Sequence, residues 1–204
     1  FAQQSSVSPY SRLGFGDLQP QIYTRSLSMG GANLALYEPL NINNANPASY
    51  ASLALTTFEL GLQFGLLEQK QLNPDVTVNN NISGIRYFSL GVPVTKWWGS
   101  AFGLQPYSFK GYSIATERIG PDDVVINDRF NGSGGLSKLY WGNGFNVAEG
   151  LSIGVNAAYL FGNLEEDNSV FWNNGFYSSQ ISENAKVKGF RFDFGARYIY
   201  EIDE

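Results

Sequence analysis

The 204-residue sequence has no cysteine and no histidine, and only 15% of its residues are charged. Without thiol or imidazole groups, the chain has no disulfide, no ordinary structural zinc site, no Cys nucleophile and no Ser-His-Asp triad. We therefore expect a protein that is not an enzyme and that holds no cofactor or metal. Ordinary globular domains carry about 25% charged residues, so the charge content is low for a soluble domain.

Positive charge and long apolar runs are scarce as well. The chain has 13 Lys and Arg against 18 Asp and Glu, a net charge of −5, which leaves no basic surface for a phosphate backbone. We expect no nucleic-acid partner. No apolar run reaches the roughly 20 residues of a membrane-spanning helix, so strands remain as the only way for this sequence to cross a bilayer.

Residues 1–55 differ from the rest of the chain. They are rich in Ser, Asn, Gly and Pro and show no sustained period, which predicts short helical turns and no long amphipathic helix. The first residues, Phe1, Ala2, Gln3 and Gln4, suit the end of a cleaved signal peptide, although an arbitrary start explains them equally well. The sequence thus divides into residues 1–55 and residues 56–204.

From Thr57 onward, apolar residues alternate with polar or small ones, which is the pattern of strands with one apolar face. Two weaker strands are predicted near residues 100–113 and 135–147, giving about six in all. The four clearest apolar rows are Phe58, Leu60, Leu62, Phe64 and Leu66; Phe88, Leu90, Val92 and Val94; Leu151, Ile153, Val155, Ala157, Tyr159 and Phe161; and Phe190, Phe192, Phe194, Ala196, Tyr198 and Tyr200.

The predicted connections alternate between long and short. The short ones are residues 95–99 and 148–150, and the long ones are residues 68–81, 114–134 and 163–186. Short periplasmic turns and long external loops are typical of outer-membrane barrels, and ten-residue strands suit a tilted membrane crossing. The pattern favours an all-β, transmembrane antiparallel β-barrel with residues 1–55 starting on the periplasmic side. A soluble β-sandwich is the alternative.

Six strands are too few for a closed barrel. Membrane barrels close with eight or more strands, and unpaired edges are not tolerated in lipid. We therefore expect these residues to be the N-terminal part of a longer barrel. The alternative is that the long loops contain two further strands, for example around residues 170–181.

Two short motifs lie ahead of the first strand. Met29, Gly30, Gly31 and Ala32 form the first, and Asn46, Pro47 and Ala48 form the second. In their order and spacing, followed by a barrel strand, they resemble the start of the FadL/TodX family of Gram-negative outer-membrane transporters for long-chain fatty acids and other hydrophobic compounds. The resemblance implies a fourteen-stranded barrel in the cell outer membrane, with residues 1–55 forming a hatch in the lumen. The second motif also suits the cap of a short helical turn, and both interpretations can hold together.

Pro106 falls inside the third predicted strand, where it cannot donate a ladder hydrogen bond. Proline at such a position marks a bulge or a break. The resemblance implies a kink at Pro106 that opens a lateral gap, through which an apolar ligand leaves the lumen. The alternative is a bulge that only curves the wall.

Six polar residues are predicted to face the lumen. They either bind a carboxylate headgroup, for which arginine is well suited, or pair with one another and with the hatch. These residues are Glu59, Gln63, Asn156, Arg191, Asp193 and Arg197.

The resemblance implies passive transport of hydrophobic molecules, with outer-membrane lipid and an apolar small molecule as partners. The alternative is a non-transporting structural or accessory subunit of a larger outer-membrane complex, such as a secretion or barrel-assembly machine. In that case, partner proteins would bind the long external loops, whose aromatic residues Phe171, Trp172, Phe176 and Tyr177 suit interface centres.

Overall fold

The computed structural model describes residues 8–72, 75–120, 123–172 and 178–200. Within these ranges the chain forms one antiparallel sheet of eight strands, so the predicted all-β antiparallel class is confirmed. Residues 1–4, Phe176 and Tyr177 lie outside the described ranges. The strands are β1 (Asp17–Leu18), β2 (Thr57–Leu72), β3 (Asp75–Thr95), β4 (Trp98–Phe109), β5 (Tyr112–Ile119), β6 (Val125–Ala148), β7 (Leu151–Trp172) and β8 (Ser178–Tyr198).

The helices described for this chain are short and precede β2. They are two 3₁₀ helices, Pro9–Arg12 and Pro47–Ser52, and one α-helix, α1 (Thr24–Ser28). Among the described residues, none of the helices has the length and apolar character needed to span a membrane.

The main path of the sheet runs β2-β3-β4-β6-β7-β8, with β1 paired to β4 and β5 paired to β6. β4 pairs with residues 135–145 of β6, and β5 pairs with residues 125–132 of the same strand. β4 and β5 therefore lie end to end along one edge of β6, interrupted at Lys110 and Gly111. In the described residues β2 and β8 are the two edges, and the sheet does not close on itself.

The prediction of three long loops is wrong. Most of residues 68–81, 114–134 and 163–186 belong to strands, and the sheet therefore has six strands along its main path plus the short strands β1 and β5. The ladder continues where the apolar alternation has stopped, since backbone pairing does not require an apolar face. In this region polar side chains pair across β7 and β8, as Glu165 does with Asn184 at 3.1 Å.

The proposed extra strands around residues 170–181 are also wrong for the described residues. Val170, Phe171 and Trp172 form the end of β7, and residues 178–181 begin β8. The aromatic residues Phe171 and Trp172 thus lie on a strand and not in a loop.

The two faces of the sheet differ in chemistry. The outer face carries the predicted apolar rows, with Phe64, Phe190 and Phe194 about 80% exposed. The inner face carries small and polar residues and is covered by residues 8–56, which we call the N-terminal segment. The buried core lies between this segment and the inner face, and its members are Tyr23, Ile42, Tyr50 and Leu53 from the segment and Tyr87, Ala101, Tyr140 and Ala158 from the sheet.

Candidate functional site

Four glycines form a continuous row across the inner face. Gly99 of β4 pairs with Gly144 of β6, Gly144 pairs with Gly154 of β7, and Gly154 pairs with Gly195 of β8. We call these four residues the glycine row. The 3₁₀ helix Pro47–Ser52 lies directly on it, because the nearest atoms above the row belong to residues 46–51.

The glycine row allows backbone to approach backbone. A Cβ atom on Gly99 would overlap the Tyr50 carbonyl, and one on Gly144 or Gly154 would press into the main chain of Pro47. Any larger residue would therefore lift the 3₁₀ helix from the sheet. Sequence reasoning missed this row because its members are distant in the chain, and only the strand register aligns them.

Asn46 connects the second predicted motif to the sheet. Its Oδ1 accepts a hydrogen bond from the Ala48 amide at 3.1 Å, so it caps the 3₁₀ helix, which Pro47 then begins. Its Nδ2 donates to the carbonyls of Leu34 at 2.8 Å and of Ala196 in β8 at 3.1 Å. One side chain thus ties two parts of the N-terminal segment to the sheet, which fits the preference for Asn at helix caps.

The first predicted motif ends a helix. Gly31 donates its amide hydrogen to the Ser26 carbonyl at 2.8 Å, just beyond the last residue of α1. Gly30 and Gly31 have φ values of 68° and 86°, in the left-handed region that glycine adopts without strain at helix C-termini. Met29 and Ala32 flank them and are exposed.

Two of the predicted lumen residues bind the main chain of the N-terminal segment. A carboxylate oxygen of Glu59 accepts the Ile42 amide at 2.6 Å. Asn156 donates through Nδ2 to the Asn44 carbonyl at 3.4 Å. Both side chains satisfy backbone groups that have no partner in a regular ladder.

Arg197 is a third contact to the segment. Its Nη1 donates to the Leu36 carbonyl at 3.5 Å and to the Ser52 hydroxyl at 3.4 Å. The guanidinium carbon also lies 5.2 Å from the centre of the Tyr37 ring, which is within range of a cation–π interaction. Arg197 therefore holds both sides of the chain turn between Leu36 and Ser52.

The remaining lumen candidates lie elsewhere on the sheet. Arg191 and Asp193 form an ion pair with each other at 2.7 Å. Gln63 lines a cleft that also includes Gln19 of the N-terminal segment. The structure thus places three of the six predicted residues in contact with the N-terminal segment, Gln63 in a cleft beside it, and the other two in an ion pair with each other.

Buried tyrosines form a second set of contacts between segment and sheet. The Tyr23 and Tyr140 hydroxyls are 2.5 Å apart, and the Ser89 hydroxyl lies 2.8 Å from that of Tyr140. The Tyr23 ring stacks on Tyr87 with centroids 3.8 Å apart. Burial raises the pKa of Tyr23, and also that of Tyr50, well above the ordinary value, because a phenolate would lose its water.

Pro106 lies where β4 changes partner. The register between β4 and β6 shifts between Pro106 and Ser108. On its other edge, β4 pairs with β3 only as far as Leu104, and β1 then pairs with Ser108 and Phe109.

Beyond the point where β3 stops pairing with β4, residues of the N-terminal segment pair with β4 in its place. Gln19 donates its amide hydrogen to the Tyr107 carbonyl at 2.9 Å, and Gln21 donates through Nε2 to the Pro106 carbonyl at 3.0 Å. Gln21 is in turn 2.6 Å from Gln105. The edge of β4 that β3 leaves open is therefore covered by residues 17–21.

No curated protein and no solved structure matches this chain. A family model described as BamG matches residues 1–204, the whole sequence.

This match shows that the predicted membership of the FadL/TodX family is wrong. The motifs behind it are three and four residues long, and each has a local role here, as a helix cap and a helix end, that unrelated chains also need. The prediction that this protein transports hydrophobic molecules rested on that resemblance alone, and the family match gives it no support. The match to its full length shows that the chain belongs to the BamG family, which is barrel-assembly-related and associated with the outer membrane of Gram-negative bacteria.

Proposed function

We propose that this protein is a non-transporting structural subunit of an outer-membrane barrel-assembly complex. Its sheet forms part of a transmembrane β-barrel, and its N-terminal segment is a fixed plug on the inner face. The observation on which this rests is the reversal of ordinary surface chemistry, with an exposed apolar outer face and a covered polar inner face. The family match supplies the context of barrel assembly.

The outer face is suited to lipid. Phe64, Leu66 and Phe194 are between 80% and 90% exposed. An apolar row also runs across six strands, and its members, which pair in turn, are Phe58, Leu90, Phe102, Trp141, Ala157 and Phe192. Soluble proteins seldom expose contiguous apolar patches of more than a few hundred Å². A barrel wall in a bilayer places such residues against hydrocarbon.

Two tryptophans on the outer face also support the placement of this face in a membrane. Trp98 donates its indole hydrogen to Asn143 Oδ1 at 3.0 Å, and Trp141 donates to the Ser100 hydroxyl at 2.9 Å. In hydrocarbon, a polar hydrogen has no water to bind and needs a protein partner. Both indoles have such a partner on the neighbouring strand.

Two aromatic clusters mark the ends of the apolar band. Trp97, Trp98 and Phe145 pack together at the short-turn end, and Phe161 packs with Tyr159 at the other. Since Phe145 pairs with Ile153, the two levels are eight residues apart on β7. That is about 26 Å along the strand, or about 20 Å for a tilt of 35–45°, which suits a bilayer core with aromatic girdles.

The plug is proposed to be fixed because its contacts at the glycine row and at three polar side chains reach five strands, β2, β4, β6, β7 and β8. The glycine row fits the main chain of residues 46–51, and Glu59, Asn156 and Arg197 satisfy main-chain groups of the segment. Moving the plug would leave these buried polar groups unpaired, at a cost of about 1–3 kcal/mol each. A rigid, filled inner face favours a structural role over passage of cargo. The role is also proposed to be non-enzymatic, on the composition alone.

The strands beyond the apolar band offer a surface for partner proteins. β7 continues from Phe161 to Trp172 and β6 pairs with it along this length. These eleven residues extend about 36 Å at 3.3 Å per residue. We therefore place this part of the sheet in water, on the side of the membrane away from the short turns. We propose that other outer-membrane assembly proteins bind there.

Native mass measurement of the affinity-tagged full-length protein, extracted in mild detergent from its Gram-negative host, tests the proposal. We expect the protein to run with other outer-membrane proteins in fixed stoichiometry. A matched preparation of an unrelated tagged barrel of similar size controls for nonspecific association. Recovery of this protein alone, or with bound apolar cargo in place of protein partners, would contradict the structural role.

A further inference from the structure

The sheet has an opening between β3 and β4. β3 pairs with β4 only from Phe88 to Thr95. Before Phe88, residues 82–86 of β3 face Pro106 and Phe109 of β4 across a narrow cleft, with Gln19 and Pro20 of the N-terminal segment forming its floor. We call this the β3–β4 cleft.

Arg86 is the charged residue of the cleft and is held there by a β-bulge. Tyr87 pairs with Gly61 and Ile85 pairs with Leu62, so Arg86 is the extra residue between two consecutive pairs. Its Nε and Nη2 are buried, and neither has a hydrogen-bond partner among the described residues. Leaving two buried guanidinium nitrogens without an acceptor is costly, and an anionic oxygen would supply the acceptor that both lack.

An apolar groove on the outer face leads into the cleft. Phe64 and Leu66 line this open groove, and Ser83, which pairs with Phe64 and shares its face, belongs to both groove and cleft. The cleft has a volume of only about 20 Å³, which is room for a water molecule or a single oxygen group. A ligand that fits both parts has an anionic oxygen for the cleft and an acyl chain for the groove.

Arg86 lies at the depth where lipid headgroups occur. It lies nine residues from Thr95, the last residue of β3 before the short turn that carries Trp97, which is about 30 Å along the strand and about 23 Å after correction for a 35–45° tilt. On β7 and β8, Tyr159 pairs with Phe190, and the next outer-face pair along these strands is Phe161 with Lys188. Basic residues at the edge of an apolar band face the phosphates of the bilayer.

We propose that the β3–β4 cleft binds one phosphate-bearing acyl lipid. A phosphate oxygen accepts hydrogen bonds from Nε and Nη2 of Arg86, a fork geometry that guanidinium offers and ammonium does not. An acyl chain lies on Phe64 and Leu66. The bound lipid would seal the cleft between β3 and β4. This inference rests on the membrane placement under the proposed function.

Native mass spectrometry of the full-length protein, released from micelles containing phosphatidylglycerol, tests the site. We expect the wild type to retain one phosphatidylglycerol, Arg86→Gln to bind it at least tenfold more weakly, and Arg86→Lys to recover only part of the affinity. Arg118→Gln is the matched control, since Arg118 on β5 is an exposed arginine that pairs with Asp128 on β6, and this variant should bind like the wild type. Equal retention by Arg86→Gln and the wild type would overturn the proposal.

Competition distinguishes the sources of the anion. Displacement of the lipid by millimolar inorganic phosphate would show a free-phosphate site, and displacement by oleate with no preference for the phospholipid would show a carboxylate site; either result overturns the assignment. Should Arg86→Gln fail to fold, as judged by heat-modifiable gel mobility, Phe64→Ser tests the groove and should weaken retention. A wild type that assembles with its protein partners but retains no phospholipid would refute this inference alone.

Discussion

The hydroxyl oxygen of Tyr23, in the N-terminal segment, lies 2.5 Å from the hydroxyl oxygen of Tyr140 on β6. The Tyr140 hydroxyl also lies 2.8 Å from that of Ser89 on β3. A single buried side chain of the sheet therefore connects the segment to two strands, and its removal affects both connections.

Replacing Tyr140 with Phe should destabilise the docked segment. The change removes one hydroxyl and leaves those of Tyr23 and Ser89 without this partner in a buried place, at a cost of about 1–3 kcal/mol. We expect faster proteolysis of the N-terminal segment and a lower midpoint in heat-modifiability gels. Tyr10→Phe, at a position that is 82% exposed, should behave like the wild type. Equal behaviour of the two variants would show that the hydroxyl network does not stabilise docking.

Docking of the segment should weaken at high pH. Burial raises the pKa of Tyr23 and Tyr50 well above the ordinary value of 10.0, so the folded protein holds these protons more tightly than the unfolded chain. Their contribution to stability is complete below about pH 10 and is lost as the pH rises toward the folded-state pKa values.

Protease sensitivity of the segment, measured from about pH 8 to 11.5 in detergent, checks this expectation. Sensitivity should rise above about pH 10 in the wild type and rise less in a Tyr23→Phe, Tyr50→Phe double variant, which cannot ionise at these positions. A double variant with the same pH profile as the wild type would assign the transition to other groups.

The glycine row should not tolerate even one added methyl group. Gly154→Ala places a Cβ against the main chain of Pro47, and we expect a loss of about 1–3 kcal/mol through displacement of the 3₁₀ helix. Gly189→Ala is the matched control on β8, because a Cβ there meets no atom within 4 Å. Thermal midpoints of the two variants in the same detergent give the comparison. If both lose the same stability, glycine propensity and not close approach explains the effect.

Fluorescence quenching by brominated lipids should separate two tryptophans by depth. Trp141 lies on the outer face four residues from Phe145, about 13 Å along the strand, whereas Trp97 lies in the short turn. Variants with either one as the sole tryptophan should differ: Trp141 quenched most by bromine deep in the acyl chain, Trp97 by bromine near the glycerol. Shallow quenching of both would argue against a membrane-spanning outer face.

The alternating rows of the sheet were predictable because one face of each strand is apolar and the other carries small or polar residues. Phe58 to Leu66 and Phe190 to Phe194 alternate for this reason, and their strands were identified from the sequence. The strand extensions were not predictable, since the apolar alternation ends before the backbone ladder does. At residues such as Glu165 and Asn184, the backbone ladder continues between polar side chains, and a polar sequence of this kind predicts a loop.

The site was harder to predict than the strands. Asn46 and Gly31 were singled out as parts of motifs, and the capping preferences of Asn and Gly explain what they do in the fold. The glycine row and the bulge at Arg86 depend on register, which a single sequence does not specify. Tyr23 and Tyr140 were missed because tyrosine in a barrel sequence also suits a membrane interface.

The bond between Asn46 and the Ala196 carbonyl joins residues 150 positions apart, with β2 to β7 between them. The part of the chain that is synthesised first therefore receives one of its anchors only when β8 has been laid down. Contacts of such high sequence separation slow folding and prolong the exposure of unpaired edges. We expect this protein to depend on assisted assembly for its own maturation, and thus to be a client of the kind of machinery to which its family is related.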